Sequence, residues 1–223
     1  MENKKICVIV PFYNEEKCLT KVLQDLTKEN YSVVAIDDGS TDNSYEIASK
    51  FPITLLKHET NFGQGAALQT GISFSRLNPN FDFFVTFDSD GQHQVEEVKK
   101  VIEPLLNNDS DFVFGTRFQD KLSKLPIIKR IILKLAIFYT KASTGIELSD
   151  THNGFRALNR KAICAINLNF SNMTHASEFI EQAHKSNLRV REIPVNILYT
   201  KYSKRKGQSI WNSINILVDL FLR

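Results

Sequence analysis

The sequence is poor in the features that mark several classes of protein. Its 223 residues contain three cysteines, Cys7, Cys18 and Cys164, which are odd in number and widely separated. Since no Cys-x-x-Cys pair occurs, neither a disulfide framework nor a zinc site is indicated, and a reducing, cytoplasmic setting is expected. The chain lacks any uncharged run of the roughly 18 residues that a membrane-spanning helix needs, and its first apolar run is too short for a secretory signal. We therefore expect that the chain itself does not cross a membrane.

Charge of one sign is not in large excess either. The sequence holds 28 lysines and arginines against 25 aspartates and glutamates, a formal net charge of +3. This excess is too small to predict a nucleic-acid partner. The basic residues are nevertheless concentrated in two segments, 121–134 and 201–206, and anionic groups are the expected partners of these segments.

Short apolar, β-branched runs alternate with polar-faced segments that are long enough to be helices. This alternation predicts an α/β fold, in which a mostly parallel central sheet is flanked by helices on both faces. No repeat, low-complexity tract or linker divides the chain, so a single domain is expected. The predicted strands are 6–10, 33–36, 53–56, 83–87 and 112–114. The predicted helices are 15–29, 42–50, 64–76, 95–107, 126–142, 174–186 and 209–222.

Polar clusters follow four of the predicted strands. They are "PFYNEE" after the first strand, "DDGSTD" after the second, "DSDGQH" after the fourth and "GTRF" after the fifth. Ligands of open α/β sheets bind at the carboxyl ends of the strands. The sequence therefore predicts a binding site at this edge of the sheet.

The cluster after the fourth strand ends an apolar run in two carboxylates, Asp88 and Asp90. If the strand continues through residue 90, its period of two places both side chains on one face, where they repel unless a cation lies between them. Magnesium or manganese, with oxygen ligands and room for substrate phosphate, meets this need, and Gln92 could add a carbonyl oxygen.

The residues of this cluster have two other interpretations. A calcium loop would also begin with Asp-x-Asp, but it requires glycine and glutamate where this chain has His93 and Lys99, so it is excluded. The two aspartates could instead only end the strand and start a turn at Gly91. In the second cluster, Asp37 and Asp38 could accept hydrogen bonds from a base or ribose, or could form a turn before a helix N-cap.

These motifs, together with "NFGQGAALQTG" and "DTHNGFRALNRKA", resemble family 2 glycosyltransferases, in particular the branch of the dolichyl-phosphate mannose and glucose synthases. The match runs in order over residues 6–210. The resemblance implies a Rossmann-like fold of the glycosyltransferase A type, a donor sugar linked to GDP or UDP, Mg²⁺ or Mn²⁺ as cofactor, and inversion at the anomeric carbon. We expect a nucleotide-sugar-binding half at about 1–116 and an acceptor-binding half at about 117–223.

The same resemblance assigns roles to individual residues. The base and ribose would be held by Pro11, Tyr13, Glu15, Ile36 and Asp38. Ser89 and Arg205 would also contact the donor, and the metal on its diphosphate would be held by Asp88, Asp90 and Gln92. The expected catalytic residues are Asp90, Arg117 and Asp150. Asp150 would either orient the donor sugar or act as a base; alternatively it caps a turn.

A lipid phosphate acceptor arrives already ionised, because the second pKa of a phosphate monoester is about 6. Such an acceptor needs to be held rather than deprotonated, and a guanidinium group matches phosphate oxygens in a bidentate manner. The resemblance implies that this phosphate is bound by Arg117 and Arg130, and Lys134 is expected to add to the same site. Lys134 departs from the pattern, since the related synthases carry a small hydroxyl residue there.

Several polar and basic features outside these motifs have two interpretations. The segment 126–142 carries a narrow basic stripe on a very apolar helix, so it is either an interfacial helix that dips into lipid or a core helix with a solvated face. The segment 209–222 is a second candidate interfacial helix. The basic loop 204–206 either closes over the diphosphate or is simply solvated. Glu178 is expected to be a solvated charge on its helix.

The function that these expectations favour is transfer of a hexose from a nucleotide sugar to a polyprenyl phosphate, dolichyl or undecaprenyl. The chain would be cytoplasmic and peripheral to the cytoplasmic face of a membrane, binding either the membrane surface or a separate membrane subunit, with no nucleic acid involved. One alternative is a glycosyltransferase that acts on a sugar hydroxyl in surface polysaccharide synthesis and needs a working base. Another is a non-catalytic nucleotide-sugar-binding scaffold for a membrane partner.

Overall fold

Strands and helices alternate along most of the chain in the computed structural model, which describes residues 5–117, 148–150, 153–169 and 175–198. The elements are β1 (Ile6–Phe12), α1 (Leu19–Lys28), β2 (Ser32–Asp37), α2 (Ser44–Ala48), β3 (Thr54–Lys57), α3 (Gln64–Leu77), β4 (Phe83–Thr86), α4 (Glu97–Leu106), β5 (Phe112–Thr116), β6 (Arg156–Asn159), α5 (Arg160–Ala165), α6 (His175–Lys185) and β7 (Val190–Pro194). The predicted helices 126–142 and 209–222 lie outside the described residues.

The strands form one seven-stranded sheet in the order β3-β2-β1-β4-β6-β5-β7. The pairs β1–β2, β1–β4, β2–β3 and β5–β7 are parallel, whereas β6 is antiparallel to both β4 and β5. The five strands expected from the sequence are therefore confirmed within a mostly parallel sheet. Strands β6 and β7 were not predicted.

Both faces of the sheet are covered, which explains why β1 is apolar at every position rather than at alternate ones. Val8 and Val10 belong to one hydrophobic core, which also contains buried residues of α1 and α4. Cys7 and Ile9, one position out of phase, belong to a second core with buried residues of α3, α5 and α6. The period of two along the strand thus distributes its side chains between two layers of helices.

Helix α3 packs very close to the sheet at Gly71. A Cβ atom on this residue would lie 2.5 Å from Cγ2 of Ile9 and 2.7 Å from Cδ1 of Ile36. Only glycine allows this separation. In the part of the chain that the structure describes, no helix is long and apolar enough to cross a bilayer.

Candidate functional site

The Asp88–Asp90 loop lies at the carboxyl end of β4, and its backbone differs from the sequence expectation. Strand β4 ends at Thr86, close to the predicted end at 87, so the condition that the strand continues through residue 90 is not met. The chain instead turns, and Gly91 adopts a left-handed conformation with φ of 75°. The structure thus has the strand end and the turn at Gly91, and such a turn is compatible with the loop also serving as a metal site.

The Asp88 carboxylate is held from several sides. Its Oδ1 accepts a hydrogen bond from Nε2 of Gln64, the first residue of α3, at 3.1 Å. Its Oδ2 lies 3.5 Å from Nε2 of His93, and the Asp88 backbone N–H donates to Nδ1 of the same ring at 3.0 Å. Gly154 is packed so closely on this carboxylate that an added Cβ would overlap it. The position of Asp88 is thus defined by three separate parts of the chain.

Asp90 is held within its own loop. Its Oδ1 accepts the backbone N–H of Gln92 at 2.9 Å, and its Oδ2 accepts from the Gln92 side-chain amide. Burial, and then the nearby negative charge of Asp88, raise the pKa of Asp90 above its ordinary value. The two carboxylates repel each other in a partly buried loop, and a bound cation would reduce this repulsion.

This donor set suits a hard divalent ion. Asp88, Asp90 and the amide oxygen of Gln92 are the oxygen ligands that magnesium and manganese prefer. Within residues 5–117, 148–150, 153–169 and 175–198, no three acidic, histidine or cysteine side chains are grouped so that they could hold a metal by themselves. An ion bound here would therefore complete its shell with water and substrate oxygens, as magnesium commonly does beside phosphates.

The predicted nucleotide-binding residues gather at the ends of β1 and β2. Pro11 and Ile36 are register partners on these adjacent strands, and the ring of Tyr13, just beyond β1, is 41% exposed. Glu15 is buried, and its backbone N–H donates to Oγ of Ser44 at 2.8 Å. Ser89, in the turn after β4, is also buried. Contacts between these residues and a base or ribose stay predictions.

Asp38 has a set of bonds that the sequence did not indicate. Its Oδ1 accepts the backbone N–H of Phe62 at 3.0 Å and contacts Nδ1 of His58 at 2.8 Å. Its Oδ2 accepts the backbone N–H of Gly63 at 2.8 Å, and the residue is 2% exposed. Asp38 therefore anchors the loop that leads into α3.

Arg117 and Asp150, which were predicted as separate functional residues, are bound to each other. Nε and Nη2 of Arg117 donate to Oδ2 and Oδ1 of Asp150 at 2.7 and 2.8 Å, and the Arg117 backbone N–H donates to Oδ2 at 3.1 Å. The Asp150 side chain is 2% exposed, whereas that of Arg117 is 30% exposed. The carboxylate is thus committed to the guanidinium group, which still reaches the surface.

A second carboxylate fixes this pair in place. Oε1 of Glu192, on β7, accepts the backbone N–H groups of Ser149 and Asp150 at 2.7 and 3.1 Å. Oγ of Ser149 also lies 2.7 Å from Oγ1 of Thr116. Burial raises the pKa of Glu192 above its ordinary value. The short segment 148–150 is therefore positioned by residues of β5 and β7.

Arg156 is a buried cation that the sequence reasoning missed. It is the first residue of β6, it is 1% exposed, and its guanidinium carbon lies 4.6 Å from the ring centroid of Phe179. Its Nε and Nη1 find no hydrogen-bond partner among the residues that the structure describes. Burial lowers the pKa of Arg156 to about 10, while the charges of Asp88 and Asp150 act in the opposite direction. An arginine inside the apolar run "FRAL" was the available signal.

The remaining predicted residues have mixed outcomes. Glu178 is buried, and its carboxylate accepts the backbone N–H of Asn169 at 3.0 Å, so the expectation of a solvated charge is wrong. The hydrogen bond offsets the cost of burying the Glu178 carboxylate. It also links the start of α6 to the segment that follows α5. Arg130, Lys134 and the basic loop 204–206 with Arg205 lie outside the described residues.

The chain is similar in sequence to two proteins that are named as sugar transferases of dolichyl or dolichol phosphate. The UDP-N-acetylglucosamine–dolichyl-phosphate N-acetylglucosaminyltransferase of Methanococcus voltae is 30% identical over 244 residues, covering 100% of this chain and 97% of the relative. The dolichol-phosphate mannosyltransferase of Pyrococcus furiosus is 28% identical over 230 residues, covering 97% of this chain and 63% of the relative.

The fold has close counterparts among solved structures. Glucosyl-3-phosphoglycerate synthase from Mycobacterium tuberculosis, crystallised with Mn²⁺, UDP and phosphoglyceric acid, superposes with a TM-score of 0.67 at 17% sequence identity. The superposition covers 97% of this chain and 78% of that one. The expected glycosyltransferase A-type fold is thereby confirmed. The sequence model described as glycosyl transferase family 2 matches residues 7–166, and the chain therefore belongs to this family.

Proposed function

We propose that the protein is an inverting, metal-dependent glycosyltransferase that moves a hexose from a nucleotide sugar to a polyprenyl phosphate. The observation that carries this proposal is the pair of carboxylates, Asp88 and Asp90, held in a turn at the carboxyl edge of the sheet. Two relatives named for transfer to dolichyl phosphate support the choice of acceptor. A neighbour of the same fold crystallised with Mn²⁺ and UDP supports the choice of cofactor.

The donor would lie along the ends of β1, β2 and β4. Pro11, Tyr13, Glu15, Ile36 and Asp38 would surround the base and ribose, and Ser89 and Arg205 would also contact the donor. Its diphosphate would face Asp88, Asp90 and Gln92. A divalent ion bound there would neutralise the charge that develops on the departing nucleoside diphosphate. The chain's own carboxylates would hold that ion in place throughout the reaction.

In the reaction, an oxygen of the acceptor phosphate forms a bond to the anomeric carbon while the bond from that carbon to the diphosphate oxygen breaks. Both electrons of the broken bond leave with the nucleoside diphosphate. Because attack and departure occur on opposite faces of the sugar, the anomeric configuration is inverted. No proton has to be removed from the acceptor, since a phosphate monoester with a second pKa of about 6 is ionised at neutral pH.

The pairing of Asp150 with Arg117 supports a phosphate acceptor rather than a sugar hydroxyl. Both oxygens of the buried Asp150 carboxylate accept hydrogen bonds from Arg117, so taking a proton from a sugar hydroxyl would require breaking this bidentate pair. Arg117, oriented by Asp150 and still 30% exposed, is suited to hold an anionic oxygen. Arg130 and Lys134 would add to the acceptor-phosphate site, and the polyprenyl tail would keep the enzyme at the cytoplasmic face of a membrane.

The proposal is tested by transfer assays with the purified full chain. GDP-mannose, UDP-glucose and UDP-N-acetylglucosamine, each labelled in the sugar, are offered with Mn²⁺ to undecaprenyl phosphate, to the unphosphorylated polyprenol and to free sugars. We expect label in the lipid fraction only with the phosphorylated lipid. Transfer to a sugar hydroxyl, with none to the lipid phosphate, would favour the polysaccharide alternative. Donor binding without turnover on any acceptor would favour a non-catalytic scaffold.

A variant pair sharpens this assay. Arg117→Ala should reduce transfer to the lipid phosphate by about 10- to 100-fold, because a guanidinium–phosphate contact and the orientation it provides are lost. Arg191→Ala is the matched control, since Arg191 is an arginine 54% exposed in an ion pair with Asp109 on the surface. The control should transfer sugar at the wild-type rate, and equal losses in both variants would contradict a role for Arg117.

A further inference from the structure

His93 is placed so that both of its ring nitrogens face one residue. Its Nδ1 accepts the Asp88 backbone N–H at 3.0 Å, and its Nε2 lies 3.5 Å from Oδ2 of the same aspartate. Because Nδ1 accepts a hydrogen bond, it carries no proton, and the single proton of the neutral ring is on Nε2. That N–H is therefore available to the Asp88 carboxylate. The ring is thus hydrogen-bonded to the Asp88 backbone and lies close to the Asp88 carboxylate.

The ring itself is fixed by aromatic packing. It stacks on Phe155 with a centroid separation of 4.9 Å and an interplanar angle of 21°, and it meets Phe87 edge to face at 5.3 Å. The residue is only 8% exposed. Such a slot leaves the imidazole little freedom to rotate, so its two nitrogens keep their orientation toward Asp88.

The backbone at Gln92 and His93 is also held in place. His93 forms an antiparallel bridge with Ile197, and the carbonyl of Gln92 accepts the backbone N–H of Leu198 at 2.9 Å. The segment that follows β7 thus holds this loop from outside. Aromatic packing and backbone bonds thus fix the position of the His93 ring next to Asp88.

We propose that His93 is a positioning residue for the metal site, which orients the Asp88 carboxylate before any ion binds. The inference rests on the proposed function, because it gives Asp88 a metal to bind. Groups that hydrogen-bond to metal ligands fix their orientation, and loss of such a group typically costs about 10- to 100-fold in metal affinity. His93 does not touch the substrate, and its effect is transmitted through Asp88.

The test separates the polar role of His93 from its packing role. His93→Phe keeps a ring for Phe155 and Phe87 but removes both nitrogens. His93→Asn keeps an oxygen near the position of Nδ1, and His93→Gln keeps an amide donor near the position of Nε2. His184→Phe, at an exposed position in the last turn of α6, is the matched control.

Mn²⁺ affinity is measured by electron paramagnetic resonance of the free ion, with the full chain saturated by UDP or GDP, whichever the wild type binds. We expect His93→Phe to bind Mn²⁺ about 10- to 100-fold more weakly, His93→Asn and His93→Gln to be intermediate, and His184→Phe to match the wild type. Thermal unfolding of each variant checks that it is folded. Should His93→Phe not fold, the comparison of His93→Asn with the wild type decides.

Wild-type affinity in a folded His93→Phe, or in His93→Asn when the phenylalanine variant does not fold, would overturn the positioning role and leave the proposed function intact. Failure of the wild type itself to bind Mn²⁺ with either nucleotide would instead overturn the metal-dependent function. The two failures are distinguished by the wild-type measurement alone.

Discussion

The bond between Arg117 and Asp150 joins two residues that lie 33 positions apart in the sequence. Each residue could be predicted as functional from its own motif. Neither motif indicated that the Arg117 guanidinium group would bind both oxygens of the Asp150 carboxylate. The pairing changes the role expected of Asp150. It becomes a residue that orients the phosphate-binding guanidinium group, and a role as general base becomes unfavourable.

Asp150→Asn tests this assignment. The amide keeps the shape of the side chain but loses the charge and one acceptor for Arg117, so we expect kcat/KM for the lipid phosphate to fall by about 10- to 100-fold through misplacement of the guanidinium group. The shape of the pH–rate profile should stay as in the wild type. A loss of about 10²- to 10⁴-fold, together with disappearance of the acidic limb of the profile, would show that Asp150 is a base after all.

Asp111 is a carboxylate that stabilises the fold. It lies immediately before β5, at the end of that strand opposite to the site. It accepts bonds from Nε and Nη2 of Arg189 at 3.1 and 2.9 Å, from Nδ2 of Asn159 at 3.0 Å and from Nζ of Lys161 at 3.2 Å. The hydrogen bonds from Arg189 hold the pKa of Asp111 well below its ordinary range. A lowered carboxyl pKa stabilises the folded state above the ordinary value of about 3.9, and this stabilisation is lost as the pH falls through the folded-state pKa.

Asp111→Asn should therefore lower the free energy of unfolding at pH 7 by about 1–3 kcal/mol and flatten the loss of stability below about pH 4. Chemical denaturation at a series of pH values measures both effects. Asp109→Asn, which removes a partner from a surface pair with Arg191, is the control and should change stability by less than about 0.5 kcal/mol. Equal effects of the two substitutions would contradict the account.

At the scale of elements, the close approach of α3 to the sheet depends on Gly71. Gly71→Ala would force a methyl group against Ile9 and Ile36, and overpacking of this kind costs about 1–3 kcal/mol. Alanine's better helix propensity returns only about 1 kcal/mol. We expect a net loss of stability, seen as a melting temperature lower by about 2–4 °C for each kcal/mol.

The control for this substitution lies at the end of the same helix. Leu77, the last residue of α3, is 81% exposed, so Leu77→Ala removes a side chain that faces water and should shift stability by less than about 0.5 kcal/mol. A Gly71→Ala protein that is as stable as the wild type would mean that α3 can move away from β1 and β2 without cost.

The elements that could be predicted from the sequence are those with a clear local pattern. Strands β1, β2 and β4 are runs of apolar residues buried on both faces, and such runs stand out in any chain. Strand β6 has only four residues, begins with Arg156 and lies two residues after Gly154. Strand β7, at the edge of the sheet, contains only half-buried and exposed residues. Both owe their strand conformation to pairing with β5, which is a long-range contact that local sequence does not reveal.

For the whole molecule, the edge of the sheet that carries the site was predictable, because polar clusters follow the strands of a parallel sheet. The bonds within the site were not predictable. Gln64, His93 and Gly154 surround Asp88 but come from three different segments, and only the fold brings them together. The sequence pattern therefore identifies which carboxylates matter, and the structure explains how they are held.

We propose that Asp88 and Asp90 bind the divalent ion that carries the donor diphosphate. The most direct test is diffraction at the manganese absorption edge from crystals grown with Mn²⁺ and the nucleoside diphosphate that the protein binds. We expect an anomalous peak in contact with a carboxylate oxygen of Asp88 or Asp90 and with the diphosphate. A nucleotide bound with its manganese elsewhere, or with both carboxylates turned away from it, would show that this loop is not the metal site.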